Sequence, residues 1–193
     1  MLITTDNQQR VIDTFFLIAK ETPDVNKISL QMIASRLGIR RESIYKYCFR
    51  TPDEILERAH YLIDKKIEEK VTEFVSGKHH DFAIFLSHEI LPLLYEKKDW
   101  LQILYNTCLD PKWGKFLEKK YAPLIERYLD NIGKEYIIPN NFLALLVVKE
   151  FFAIVSTWLK DPNPEPTSLF QKKFLQVFNS SPNELLSQSH KLL

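Results

Sequence analysis

The sequence predicts an all-α fold, and three observations predict it. Apolar residues recur three and four positions apart along almost the whole chain, the spacing that gathers them on one face of a helix. Alternating β-branched runs bounded by turn residues are absent. Most prolines and glycines fall between the periodic stretches and mark the joints.

The first helix is expected over residues 6–21, where Val11, Phe15 and Ile18 repeat at helical spacing with Ile12, Phe16 and Ala19 beside them. Ser29 stands just before Leu30, Ile33, Ala34 and Leu37, an i, i+3, i+4, i+7 set, and is placed to cap a second helix. Gly38 closes that helix. A third, short helix begins near Arg40 or Arg41, with Ile44 and Cys48 as its inward pair. In "TPDEI", Thr51 is the cap of a fourth helix, Pro52 its first residue, and Glu54 completes a capping box. That helix runs to about residue 75. Further helices are expected near 81–97, 99–108, 112–131, 141–160 and 167–178, with a last short one from Ser181, where "SPNE" repeats the capping pattern.

With 193 residues, 45% apolar and 26% charged, the chain can bury a substantial core, which excludes disordered and fibrous classes. Cys48 and Cys108 lie far apart in no metal-ligand spacing, so neither a disulfide framework nor a zinc module is expected, and a reducing, cytoplasmic setting is the default. The start "MLITTDNQQR" does not read as a secretory signal. The most apolar window, residues 142–159, carries Lys149 and Glu150 at its middle, so it reads as a buried helix of a soluble protein rather than a membrane span.

Charge separates the first third from the rest. Between residues 27 and 50 the basic side chains are Lys27, Arg36, Arg40, Arg41, Lys46 and Arg50 against the single acid Glu42, a local +5 in a chain of net +1. Two short helices joined by a glycine turn, the second presenting positive and hydrogen-bonding groups outward, can lay one helix in a DNA major groove. Arginine offers a planar fork for guanine or phosphate, while lysine and tyrosine reach phosphate oxygens as single donors. Arg41, Ser43 and Lys46 are the best groove-facing candidates, and Ser29 and Gln31 can add donors to a phosphate at the start of the second helix. A lone basic face is usually just solvated. The combination of helix, glycine turn, short helix and capped fourth helix is what favours DNA.

These residues resemble the DNA-binding domain of the TetR/AcrR family of bacterial transcriptional regulators. "ISLQMIASRLGIRRESIYKY" follows that family's order of a capping hydroxyl residue, an Ile-Ala pair, a Gly-aliphatic turn, a basic residue, a small hydroxyl residue, an aliphatic and Tyr-x-Tyr, and "FRTPDEIL" resembles its opening of the fourth helix. The resemblance implies DNA contacts from Arg41, Ser43, Tyr45 and Lys46, with Tyr45 mainly on phosphate and Tyr47 in support. It departs from the pattern in four places. Arg40 stands where the family has a capping serine or threonine. Glu42 replaces a small residue and either accepts from a cytosine amino group or weakens non-specific binding. One extra residue between Tyr45 and Phe49 leaves Cys48 or Phe49 as the aromatic-position anchor. Pro52 replaces a phosphate-contacting lysine, which moves that contact to Arg50 or Thr51.

The resemblance further implies a helix-turn-helix DNA-binding domain over 1–50, linked by the helix at 51–75 to an effector-binding and dimerisation domain over 76–193. Fourteen of the 24 aromatic residues fall between 81 and 160, which suits an aromatic-lined small-molecule site. Trp100, Tyr105, Trp113 and Tyr121, each with a polar handle, and His88 are the candidate ligand contacts, although any one aromatic is more often plain core. The helices near 141–160 and 167–178 carry more apolar surface than one core can cover, so they are the expected homodimer interface, a four-helix bundle across a twofold axis. Such a dimer presents two recognition helices about 34–36 Å apart to a palindromic duplex site.

Other classes find no support. His79, His80, Asp81 and His88 lack a repeated ligand spacing and read as a solvated loop, so no metal or cofactor is expected. The four glycines are too scattered for a nucleotide loop, and no nucleophile elbow occurs, so catalysis is not expected. The competing reading is a helical ligand-binding or interaction protein whose helix-turn-helix does not read DNA.

Overall fold

A computed structural model of the chain describes residues 5–22, 25–77 and 81–187. Among them α1 spans Asp6–Glu21, α2 Leu30–Leu37, α3 Arg41–Tyr47 and α4 Pro52–Ser76. Then follow α5 over residues 82–96, α6 Lys98–Asn106, α7 Trp113–Ile132, α8 Asn140–Leu159, α9 Thr167–Phe178 and α10 Pro182–Ser187. No strand occurs among the described residues, as the all-α expectation requires. The middle of α5, Leu86–Ile90, is a π-helical turn, for which the sequence carried no signal.

Local chemistry sets the helix ends. The Ser29 Oγ accepts from the Met32 N–H at 3.3 Å, and Gly38 ends α2 at φ 66°, a left-handed conformation that a side chain resists. The Thr51 Oγ1 accepts from the Glu54 N–H at 3.2 Å, but the Glu54 carboxylate reaches back one residue further than a capping box does, to the Arg50 N–H at 2.7 Å. At α10 the box closes fully: Ser181 and Glu184 each accept from the other's backbone N–H. Thr5 and Gln8 do the same at α1, a box not expected from the sequence.

The chain forms two compact units. The first holds the described residues up to Lys66 together with Lys97–Pro111, and the second holds Ile67–Glu96 and the described residues from Lys112 onward. A linear division at residue 76, with 76–193 as one domain, is therefore not where the packing divides. The reason lies in the first unit, where α1 buries Val11, Ile12, Phe15 and Phe16 and offers more apolar surface than α2 and α3 cover. Trp100 of α6 stacks on Phe16 with ring centroids 5.3 Å apart, and its Nε1 donates to Asp13 Oδ1 at 3.0 Å. Leu101 beside it is fully buried.

In the second unit α7 and α8 pack along each other and α9 lies against α8. Phe174 of α9 is fully buried and meets Phe151 of α8 edge-on at 5.9 Å. By length and composition alone α8 is apolar enough to cross a membrane. Its Ala144, Val148, Phe151, Val155 and Trp158 are nevertheless buried in protein, and Lys149 Nζ donates to Glu118 Oε1 of α7 at 3.0 Å.

Gly38→Ala should destabilise the protein by about 1–2 kcal/mol, read as a lower urea midpoint at unchanged m. No atom lies within 4 Å of a Cβ built there, so the cost is the left-handed backbone itself. His60, half-buried on α4, makes a second test, since its Nε2 lies 3.2 Å from Asp110 Oδ2. Burial lowers its pKa from the ordinary value, opposed by the carboxylates of Asp110, Asp64 and Glu57. A histidine with a depressed folded pKa binds more protons unfolded, so this contribution is fully present above about pH 6.5 and lost as pH falls. His60→Gln should therefore flatten the drop in thermal stability below about pH 6.5, and an unaltered pH profile rules the imidazole out as its source.

Candidate functional site

α3 is seven residues long, too short to persist alone in water, so its neighbours must hold it. Ile44, its one buried side chain, has no exposed surface, and Phe49, just past the helix, is buried while Cys48 is only half-buried. Phe49 is thus the anchor and Cys48 is not. Both the Cys48 and Phe49 N–H groups donate to the Ile44 carbonyl, at 2.8 and 3.0 Å, which closes the helix tightly over that residue. Arg40 is the N-cap and offers no side-chain oxygen, so only the Ser43 N–H to Arg40 carbonyl bond, at 3.0 Å, starts the turn. A missing cap of this kind is worth about 1 kcal/mol.

The outer surface of α3 is polar and open. Tyr45 is 57% and Tyr47 68% exposed, so neither tyrosine belongs to the core. Arg40, Arg41, Glu42 and the hydroxyls of Ser43 and Tyr45 have no partner among the described residues. Lys46 Nζ sits 5.2 Å from the centre of the Tyr47 ring. Four further expected contacts are engaged within the protein. Ser29 caps α2, Gln31 Nε2 donates to Ser35 Oγ at 3.3 Å, Thr51 caps α4, and the Arg50 backbone is held by Glu54. Exposed Arg36 grips Glu21 of α1 through both guanidinium nitrogens at 2.8 and 2.9 Å, which removes one cation from the local excess counted along the sequence. The unpartnered positive charge is concentrated at the start of α3.

The five candidate ligand contacts do not gather at one place. Trp100 and Tyr105 belong to the first unit, where Trp100 is core. In the second unit Trp113 is buried and stacks on Phe116 at 5.6 Å. His88 is exposed, its Nδ1 3.1 Å from the Ile84 carbonyl, in a surface groove with Lys70, Glu73, Asp81 and Glu89. Asp81 spends its carboxylate on the Ile84 N–H at 2.9 Å. His79 and His80 lie outside the described residues, and no group of three potential metal ligands occurs among the described ones.

Tyr121 alone of the five lines an apolar, partly open cavity of about 30 Å³ in the second unit. The rest of its wall is Ile67 and Val71 from α4, Phe82, Leu86 and Ile90 from α5, Ile125 from α7, and Val147, Val148, Phe151 and Phe152 from α8. Most of these pair at i, i+4, so the helical spacing that marks inward faces could have found them. Apart from Tyr121 the lining residues carry no polar side-chain group, the feature by which the ligand candidates stand out in the sequence. Leu86 and Ile90 are the two ends of the π-turn, so the irregular part of α5 borders the cavity.

Two solved structures share this arrangement of helices over nearly the whole chain. One, the dihydroxyacetone kinase operon activator DhaS, is 16% identical with a TM-score of 0.54, covering 90% of this chain and 94% of its own. The other, a transcriptional regulator of the TetR/AcrR family from Thermobifida fusca YX-ER1, is 14% identical with a TM-score of 0.53, covering 91% and 98%. The chain has the TetR/AcrR regulator fold. No protein-family profile and no curated protein sequence matches it. Within that fold α2 and α3 are the helix-turn-helix pair.

Ser29→Ala should cost about 1 kcal/mol of stability through the lost cap, whereas Arg41→Ala should stay within about 0.5 kcal/mol, because the exposed guanidinium has no hydrogen-bond or ion-pair partner among the described residues. Parallel urea titrations of the two variants check this; a large loss at Arg41 means that it has a structural partner.

Proposed function

We propose that the chain is a DNA-binding transcriptional regulator of the TetR type, a cytoplasmic homodimer that represses by occupying a palindromic operator and is released by a small-molecule effector. One observation carries the reading. A short helix seated on Ile44 projects Arg40, Arg41, Glu42 and Tyr45 with no partner among the described residues, beside Lys46, in a fold of which two solved examples are named as regulators. Groups left exposed and unsatisfied in this density suit a ligand that supplies phosphate oxygens and base edges. Arg41, Ser43, Tyr45 and Lys46 are the proposed groove and phosphate contacts, with Arg40, Tyr47 and Arg50 on the flanks. Ser29, Gln31 and Thr51 would contribute through the helix ends they shape.

The proposed dimer interface is the outer face of α8 with α9, where Phe142 is 55%, Leu146 45% and Leu169 62% exposed. Lone apolar groups are ordinary on a surface; a row along two adjacent helices suits a twofold bundle. The effector site in this reading is the second unit's cavity. At about 30 Å³ it is far smaller than the 150 Å³ or so that admits a benzene-sized guest, so binding must widen it, and its apolar wall selects a neutral, apolar molecule. Such a ligand, by favouring the widened state, would shift the population away from the DNA-binding one.

The test is binding of the full chain to duplex DNA from upstream of its own coding region across a salt series. Affinity should fall steeply with salt, Arg41→Ala should relax base preference by about 1–3 kcal/mol at one position, and Tyr45→Ala should weaken all duplexes alike. Salt-insensitive or sequence-blind binding would favour instead an interaction module that has kept the helix pair without reading DNA. Activation rather than repression of a reporter would overturn the proposed sign of control.

A further inference from the structure

The proposed contacts on α3 are nearly all cationic or hydroxylic, yet the side chains pointing furthest outward include a carboxylate. At about 100° per residue, Glu42 and Lys46, two positions either side of Ile44, each lie about 160° round the helix from it. Ile44 is fully buried, so Glu42 stands at the crest of the exposed face. It pairs with nothing among the described residues, although Arg40 and Arg41 precede it and Lys46 lies one turn on, in the order that favours a helical ion pair. Lys46 lies over the Tyr47 ring instead. The carboxylate is therefore fully available to a ligand and is the one group in this cluster that phosphate repels.

Resting on the DNA-reading proposal, we infer that Glu42 determines specificity by reading cytosine once in each half-site. A carboxylate only accepts hydrogen bonds. In the major groove guanine offers two acceptors and thymine one acceptor and a methyl group, and all of these reject it. Adenine has an amino donor, but its N7 acceptor lies alongside and repels the second carboxylate oxygen. Cytosine's own edge presents the 4-amino donor beside a C–H rather than a second acceptor, so the only acceptor next to it is the O6 of its paired guanine, whereas adenine's amino group has an acceptor on both sides; this leaves cytosine as the base that best satisfies a lone carboxylate. The same group also discriminates negatively. On a duplex with the wrong base at that position the carboxylate is desolvated among acceptors, and on non-specific DNA it opposes the attraction of Arg40, Arg41 and Lys46 to the backbone.

The experiment is selection from a pool of randomised duplexes by the full chain and by Glu42→Ala and Glu42→Gln, with thermal melts as a folding control, in which loss of this exposed carboxylate from the first turn of α3 should lower the midpoint by only a few degrees. Wild type should fix one cytosine symmetrically in both half-sites, and both variants should lose that preference while keeping the others. On the selected duplex, replacing the cytosine 4-amino group by hydrogen should weaken wild type about tenfold and Glu42→Ala less than twofold. The variants should bind unrelated duplex more tightly than wild type. The same preference at every position in all three proteins, or a wild-type site without an invariant cytosine, overturns the assignment while leaving the regulator reading intact. A wild-type protein that enriches no sequence overturns that reading and this one together.

Discussion

Everything at the candidate interface depends on the burial of one isoleucine. A helix of seven residues gains too few backbone hydrogen bonds to offset the ordering of its chain, and α3 exists because Ile44 is sunk completely into the first unit with Phe49 closing behind it. That seat fixes the rotation of the helix, and the rotation decides which side chains meet solvent. With Ile44 inward, Glu42 and Lys46 must point out and the tyrosines must flank them. The apolar stripe beside these charges belongs to α2 and Ile44, and both tyrosines are surface groups.

Much of the first unit was legible along the chain because its determinants are local. Ser29 acts three residues away, Gly38 within its own backbone, and Thr51 on Glu54, so spacing alone exposes them. The choice between Cys48 and Phe49 as anchor was not local, since the extra residue after Tyr45 permits either; burial decides for Phe49. Trp100 was unreadable for a different reason. Its partners Phe16 and Asp13 lie more than eighty positions earlier, and no pattern near residue 100 distinguishes a tryptophan that caps a distant helix from one that lines a ligand site.

The same limit explains the candidate ligand contacts. Chemical versatility singled out Trp100, Tyr105, Trp113, Tyr121 and His88, but a cavity is made by where faces converge, and besides Tyr121 the converging faces here carry valine, isoleucine, leucine and phenylalanine. The aromatic groups outside it serve other neighbours: Tyr95 and Phe170 stack on Trp158 at 5.5 and 4.2 Å, and the Trp158 indole donates to the Glu165 carbonyl. Of the fourteen aromatics between 81 and 160, Phe82, Tyr121, Phe151 and Phe152 line the cavity, and others such as Trp100, Tyr95 and Trp158 pack elsewhere.

The attachment of α6 to the first unit has a consequence for how this chain can be dissected. The backbone passes between the two units three times, after Lys66, after Glu96 and after Pro111. A fragment ending at residue 75 would retain the whole helix pair yet strip away the indole lid of Phe16, leave Asp13 with the Gln9 amide but without the indole donor, and open the apolar floor beneath α1. The nucleic-acid-reading module proposed here is consequently not a detachable head: whatever bears α3 must carry residues 97–111 as well.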